Sequence, residues 1–148
     1  MIPTASTRLA RSLCCAVALG LLPVGAAAQD TQPTERIKNP VAEFTGIDKV
    51  TGRIITFDVY IDETVQFGAL QVTPRICLSS PDTEEAKTDS FVEVDEITLD
   101  RKIRRIFTGW MFAESPGLNA VEHSVYDVWL KACKQSSDVP PPATAKAE

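Results

Sequence analysis

His123 is the single histidine of the 148-residue chain and the first residue to consider for acid–base chemistry. Asp127 follows four positions later, a spacing that brings side chains together on a helix, and Ser124 is adjacent. On a strand, neighbouring side chains point to opposite faces, so these residues do not fit a nucleophilic triad. We predict that His123 makes hydrogen bonds in a turn and fixes the strand after it. A catalytic role for His123 is the alternative.

Metal and nucleotide chemistry have little support in the residues. One histidine cannot supply the His ligands of a zinc hydrolase, and the cysteines do not form the close pairs of a structural zinc site. The chain lacks a G-x-S-x-G elbow, a P-loop and a G-x-G-x-x-G motif. The carboxylates of Asp58, Asp62, Glu93 and Asp95 lack the spacing of a calcium loop. We therefore expect no metal, no cofactor and a non-catalytic protein, although an enzyme stays open.

Aromatic side chains in the second half of the chain suggest binding instead. Trp and Tyr stack on sugar rings or anchor interfaces, and loops on rigid sheets commonly carry binding sites. We predict a binding surface around the 114–124 loop and the strand after it. Its candidate members are Trp110, Asn119, His123, Tyr126, Asp127 and Trp129. Core packing is the alternative, and we favour it for Trp110 and for Phe67.

The charge balance excludes one class of partner. Lys and Arg number 15 against 20 Asp and Glu, for a formal net charge of −5. An acidic protein is poorly suited to a phosphate backbone, so we expect no nucleic-acid partner. The basic residues Arg101, Lys102, Arg104 and Arg105 lie beside acids, and we interpret them as a hairpin surface rather than a membrane patch.

The elements that must position these residues are strands. In Ile55–Ile61 apolar and polar residues alternate, as they do on a strand with one face on a core. No stretch has a clean apolar stripe of helical period. The fold class predicted is all-β, a small antiparallel sandwich or barrel. Further strands are predicted over Val41–Ile47, Leu70–Leu78, Phe91–Leu99, Lys102–Phe112 and Val125–Cys133.

Three details of these strands can be predicted. Pro74 cannot donate a ladder hydrogen bond, so its strand should be an edge or bulged there. The Lys102–Phe112 strand is apolar on both faces near its end and should be central there. Strict alternation places Cys133 on the same face as Trp129.

The amino terminus has the features of an export signal. Arg8 and Arg11 precede an apolar run over 13–24, and small residues end at Ala28. The run is shorter than the roughly 20 residues of a membrane span, so we expect no permanent membrane anchor. We predict a secretory signal peptide over 1–28, cleavage after Ala28, and a periplasmic or secreted protein.

The rest of the chain divides by composition. Residues 29–39 are polar and predict a flexible arm, 40–134 form the β domain, and 135–148 are a Pro-rich tail predicted to be disordered.

Two cysteines, Cys77 and Cys133, remain after the predicted cleavage. In an oxidising compartment such a pair usually forms a disulfide, and closing so long a loop stabilises by about 4 kcal/mol. Their Cα atoms would have to lie within roughly 7 Å, which places the last strand beside, or across from, the Leu70–Leu78 strand. Two free thiols are the alternative.

Several segments resemble a family of secreted bacterial proteins common in alphaproteobacteria, the domain of unknown function 2155. The matching segments are FDVYIDETVQFGALQVTPRIC (57–77), FVEVDEI (91–97), RRIFTGWMFAESPGLNAVEH (104–123) and YDVWLKAC (126–133). The resemblance implies export and the two matching cysteines, but no activity and no catalytic residue.

These inferences converge on a periplasmic, non-catalytic binding or scaffold protein of the cell envelope. An envelope carbohydrate-binding protein or hydrolase that uses the 114–129 region is the alternative. The partner expected is an envelope protein or a glycan.

Overall fold

The computed structural model describes residues 35–142, and within that range it contains nine strands and no helix. The predicted signal peptide, its cleavage site, the first part of the predicted arm and residues 143–148 of the tail lie outside the described residues. The strands are β1 (Ile37–Asn39), β2 (Val41–Asp48), β3 (Arg53–Tyr60), β4 (Val65–Phe67), β5 (Leu70–Ser79), β6 (Thr88–Ile97), β7 (Ile103–Phe112), β8 (Val121–Glu122) and β9 (Tyr126–Lys134).

The strands form two antiparallel sheets. The first has the order β1-β5-β6-β7, with β4 also paired to β5, and the second has the order β3-β2-β9-β8. Every strand pair is antiparallel. The inner faces of both sheets supply the core, so the all-β prediction of a small antiparallel sandwich or barrel is confirmed, and the architecture is the sandwich.

The core consists of side chains that alternate along the strands, as the sequence predicted. Phe44 of β2 pairs with Phe57 of β3, and Ala42 pairs with Val59. Such burial of apolar area is the main stabilising term of a domain of this size. The other buried members are Phe67, Leu70, Val72, Cys77, Val92, Val94, Met111, Val121, Val128 and Leu130.

A disulfide joins the two sheets. Cys77 of β5 and Cys133 of β9 are bonded, with their Cα atoms 5.7 Å apart. The predicted disulfide is therefore confirmed. β9 pairs with β2 and β8, so it lies across from β5 and not beside it. The covalent bond thus ties one layer of the sandwich to the other.

A β-bulge precedes each of these cysteines by two residues. In β5, Pro74 pairs with Val92 and Ile76 with Phe91, which leaves Arg75 as the extra residue. Of the two alternatives predicted at Pro74, an edge strand or a bulge, the bulge is the one present. It turns Cys77 onto the core face that Leu70 and Val72 occupy.

In β9, Leu130 pairs with Phe44 and Ala132 with Glu43, so Lys131 is the extra residue. Because a bulge shifts the alternation by one position, Cys133 packs with the core. The prediction that Cys133 shares the face of Trp129 was wrong for this reason.

The prediction that the end of β7 is central was also wrong. β7 is an edge strand of the first sheet. The apolar residues on its two faces have different environments. Met111 is buried in the core, whereas Trp110 lies on the outer face and packs edge-to-face on Phe91, with ring centroids 5.6 Å apart.

Two segments assigned to flexible termini pack on the sheets. The last three residues of the predicted arm form β1, which pairs with the end of β5. At the other end, the Ser137 hydroxyl donates to Asp58 at 2.6 Å, and the Tyr60 hydroxyl donates to the Val139 carbonyl at 2.8 Å. The ordered domain is therefore wider than the 40–134 boundaries taken from composition.

Candidate functional site

A row of aromatic rings runs between the two sheets and ends at His123. Successive centroids lie 5.6–6.0 Å apart along the row. Spacings of this size are typical of favourable aromatic pairs. The members, in order, are Phe44, Phe57, Phe67, Tyr126 and His123.

Two glycines make room for this row. A Cβ at Gly46 would meet ring carbons of Phe67 at 2.7–2.9 Å, and a Cβ at Gly68 would meet ring carbons of Tyr126 at 2.4–2.8 Å. Gly68 also has a φ of +59°, a backbone conformation that favours glycine. Both positions therefore require glycine for packing.

His123 uses both of its ring nitrogens in the structure. Nδ1 accepts hydrogen bonds from the amides of Val125 and Tyr126, at 3.2 and 3.3 Å. The ring proton therefore belongs on Nε2, which donates to Oε1 of Glu96 at 3.2 Å. The ring closes the turn before β9 and, through Glu96 of β6, reaches the other sheet.

Glu96 is held as a carboxylate. Arg104 of β7 donates to its second oxygen. This bond has the largest effect on the carboxyl group and the bond from His123 the next largest, and together they hold the pKa of Glu96 below its usual range. An ionised carboxylate between two donors is a poor general acid. Sequence reasoning missed Glu96, because it lies 27 positions from His123 and only the packing of the sheets brings them together.

The six predicted binding residues fall into three places. His123 and Tyr126 belong to the aromatic row. Trp110 faces away from the core on the first sheet, and the Asn119 amide donates to its carbonyl at 3.0 Å. The remaining pair, Asp127 and Trp129, lies on the outer face of β9.

Trp110 and Trp129 consequently lie on opposite outer faces of the sandwich. Trp110 adjoins the buried Met111 on β7, and Trp129 lies between the buried Val128 and Leu130 on β9. Since neighbours on a strand point to opposite faces, both indoles point outward, from different sheets. The structure therefore does not unite the six residues into one surface.

A shallow hollow of about 250 Å³ lies beside Trp129. We call it the Trp129 hollow. Glu122 of β8 pairs with Asp127 of β9 at its rim, and Asp127 also accepts from Lys49 at 2.8 Å. An indole, a proline and two carboxylates are thus placed together. The lining residues are Pro116, Gly117, Ala120, Glu122, Asp127 and Trp129.

A second polar cluster fastens the carboxyl-terminal segment. The Lys134 ammonium donates to Glu43 at 2.8 Å and to Asp58 at 3.0 Å. These two hydrogen bonds raise the pKa of Lys134 above its usual value, and the bond that Lys134 donates to Glu43 has the larger effect. No local pattern could predict the cluster, because its members are far apart in the sequence.

The outer face of the first sheet carries a ladder of ion pairs. Arg75, the extra residue of the β5 bulge, bonds Asp62 at 2.9 Å and Glu93 at 2.8 Å. Arg105 bonds Asp95 and lies 3.2 Å from Glu93. The hydrogen bond that Arg75 donates is the largest of the effects that hold the pKa of Glu93 below its usual range.

Across residues 35–142, no group of three or more His, Cys, Asp or Glu side chains is arranged to hold a metal ion. The same residues include no helix that is long and apolar enough to cross a membrane.

Residues 42–133 match the family model described as uncharacterized protein conserved in bacteria, DUF2155. A curated relative, uncharacterized protein RP359 of Rickettsia prowazekii (strain Madrid E), is 23% identical over 87 residues. That match covers 59% of this chain and 56% of the relative. No solved structure matches the chain. The family match spans the sandwich from β2 to the second cysteine of the disulfide, so the chain belongs to the DUF2155 family.

Proposed function

We propose that this chain is an exported, non-catalytic binding protein of the cell envelope, acting in the periplasm. The disulfide between the sheets supports export, because such bonds persist in oxidising compartments. The basic and apolar start of the sequence, with small residues up to Ala28, supports it as well.

The use of His123 is the observation that carries the non-catalytic part of the proposal. Its two nitrogens are both occupied by bonds that hold a turn and join the sheets. A general base needs a nitrogen within reach of a substrate proton. Glu96, the carboxylate beside it, is itself engaged by Arg104. We therefore assign His123 and Glu96 a structural role.

The Trp129 hollow supports a glycan as the ligand. An indole can stack on the apolar face of a sugar ring, and carboxylates accept hydrogen bonds from hydroxyl groups. Glu122 and Asp127 lie directly opposite each other across β8 and β9. Lys49 offsets the charge of Asp127, and both carboxylates can accept hydrogen bonds from sugar hydroxyl groups. The loop that lines the hollow is fixed to β7 by Asn119.

The test uses oligomers of N-acetylglucosamine as the probe and isothermal titration calorimetry as the signal. We expect saturable binding, weakened roughly tenfold or more in Trp129→Ala, since a central aromatic anchor carries much of the binding energy. Trp110→Phe, on the opposite face, is the matched control and should bind as the unmodified protein does.

Hydrolysis is measured in the same samples as newly formed reducing ends. We expect none. Cleavage that is lost in His123→Ala but retained in Trp110→Phe would replace the binding proposal with a hydrolase. If the unmodified protein does not bind these oligomers, the glycan proposal fails, and the envelope partner to seek is a protein.

A further inference from the structure

One end of the sandwich combines exposed apolar side chains with cations. It is formed by the turn between β2 and β3 and by the hairpin between β6 and β7. We call residues 48–54 and 98–104 the basic tip. None of its residues lines the Trp129 hollow, although Lys49 bonds Asp127 at the rim of that hollow.

Contacts with the intervening turn hold the two parts of the basic tip at the same end. The amide of Lys49 donates to the Val125 carbonyl at 2.8 Å, just after His123. His123 in turn bonds Glu96, at the base of the β6–β7 hairpin, and Glu96 bonds Arg104. A continuous chain of bonds therefore connects one part of the tip with the other.

The basic tip concentrates apolar surface. Leu99, at the apex of its hairpin, is fully exposed, and Val50, at the apex of the other turn, is 78% exposed. Single exposed apolar residues are ordinary, whereas a group of them indicates an interaction surface. Four of the eight exposed large apolar side chains of the described residues belong to the tip, namely Val50, Ile54, Leu99 and Ile103.

The hairpin presents its leucine in a defined geometry. The Thr98 hydroxyl donates to the Lys102 carbonyl at 2.9 Å, and the Arg101 amide donates to the Thr98 carbonyl at 2.8 Å. Arg101 has a φ of 61°, which closes the tight turn. The exposed Leu99 is thus held by an ordered turn.

The charge of the basic tip opposes that of the whole chain, whose net charge is −5. The tip contains two carboxylates, Asp48 and Asp100, against five cations, and Asp100 pairs with Lys102 at 2.9 Å. Below it, Glu96 and Asp127 pair with Arg104 and Lys49. Arg101 makes no ion pair with any described residue. The cations of the tip are Lys49, Arg53, Arg101, Lys102 and Arg104.

We propose that the basic tip docks reversibly on the surface of an anionic phospholipid bilayer. Val50, Leu99 and their apolar neighbours would enter the boundary between headgroups and acyl chains, and the cations around them would face lipid phosphates. A nucleic acid could use the cations alone and would leave the leucine and valine in water. The combination of apolar apices and surrounding cations therefore favours a bilayer.

The experiment is vesicle flotation with the purified protein in the form that the cell accumulates. Vesicles of phosphatidylcholine with phosphatidylglycerol should carry the protein upward, and vesicles of phosphatidylcholine alone should carry much less. Added salt should weaken the binding, because it screens the cations. This salt series uses the unmodified protein and does not depend on the folding of any variant.

Two tip variants separate the apolar and the electrostatic contributions. Leu99→Ser combined with Ile103→Ser should weaken partitioning at least about tenfold, and Arg101→Glu should weaken it about five-fold or more. The matched controls are Leu118→Ser, an exposed leucine in the loop after β7, and Lys87→Glu, at the other end of the first sheet. Both controls should float as the unmodified protein does.

Equal flotation with both kinds of vesicle, no flotation at all, or equal losses in the controls would overturn the proposal. Suppose that the protein binds heparin but not anionic vesicles, and that the double serine variant binds heparin equally well. The cations would then bind a soluble polyanion instead of a membrane. Trp129→Ala should float normally, so failure of the glycan proposal and failure of the membrane proposal are distinguishable.

Discussion

Nε2 of His123 lies 3.2 Å from Oε1 of Glu96, and this contact joins the turn before β9 in one sheet to β6 in the other. The disulfide between Cys77 and Cys133 joins the same two sheets. The disulfide and the His123–Glu96 bond therefore both tie the two sheets together, in addition to the aromatic row between them.

Replacing His123 should reduce stability in a graded way. His123→Ala leaves two amides of the turn and a carboxylate oxygen of Glu96 without their partner, which should cost about 1–3 kcal/mol of unfolding free energy. His123→Asn places an acceptor near the position of Nδ1 and should lose less than alanine does. Urea unfolding of the two variants gives the comparison, with the exposed Lys87→Ala as control. Equal losses for alanine and asparagine would contradict the role assigned to Nδ1.

Acid should weaken the fold through Glu96. Its pKa in the folded protein lies below the ordinary value of 4.5, so the unfolded chain takes up the proton first as the pH falls. The stabilisation is complete well above pH 4.5 and is lost as the pH falls through and below that value. Urea midpoints measured from neutral to acidic pH should therefore decline, and Glu96→Gln should make the decline shallower. An unchanged slope in Glu96→Gln would assign the acid sensitivity to other carboxylates, such as Glu93.

Gly68→Ala should lower the free energy of unfolding by more than the strain of a positive φ alone would cause. Gly52 and Gly68 both have positive φ, at 70° and 59°, but a Cβ at Gly52 has no heavy atom within 4 Å, whereas one at Gly68 meets the Tyr126 ring. Gly52→Ala should thus cost about 1 kcal/mol for conformation, and Gly68→Ala should add about 1–3 kcal/mol for the displaced ring. Thermal or urea unfolding of the pair isolates the steric part, and equal costs would contradict it.

Deleting Lys131 should prevent the disulfide. Lys131 is the extra residue that turns Cys133 toward the core, and without it strict alternation would point that side chain outward. We expect both thiols to react with an alkylating reagent under denaturing, non-reducing conditions. Lys131→Ala keeps the bulge and serves as the control, with both sulfurs protected. A protected pair in the deletion would mean that the register can shift elsewhere to restore the bond.

Much of the fold could be predicted from local pattern. Alternation in Ile55–Ile61 predicted β3 and its core face, and the chemistry of proline predicted the β5 bulge at Pro74. The disulfide followed from the count of cysteines after the predicted cleavage, since only Cys77 and Cys133 remained to pair. These features depend on short stretches of chain or on composition, which the residues themselves specify.

The candidate site depended on relationships between distant residues. Alternation assigned Cys133 to the wrong face, because a single bulged residue moves every later side chain of the strand to the opposite face of the sheet. Trp110 and Trp129 were grouped by their nearness in sequence, yet they point outward from different sheets. The basic tip arises because turns that are far apart in the chain meet at one end of the sandwich.

The sequence by itself thus determined which segments are strands, which sulfurs pair and which family the segments resemble, because alternation and composition are local properties. The tertiary structure alone decided the register of the strands, the bulge in β9 and the packing of one sheet on the other. Those depend on how side chains fill a shared core, which no single segment encodes. That packing brought Glu96 to His123 and placed Leu99 among cations at one exposed end.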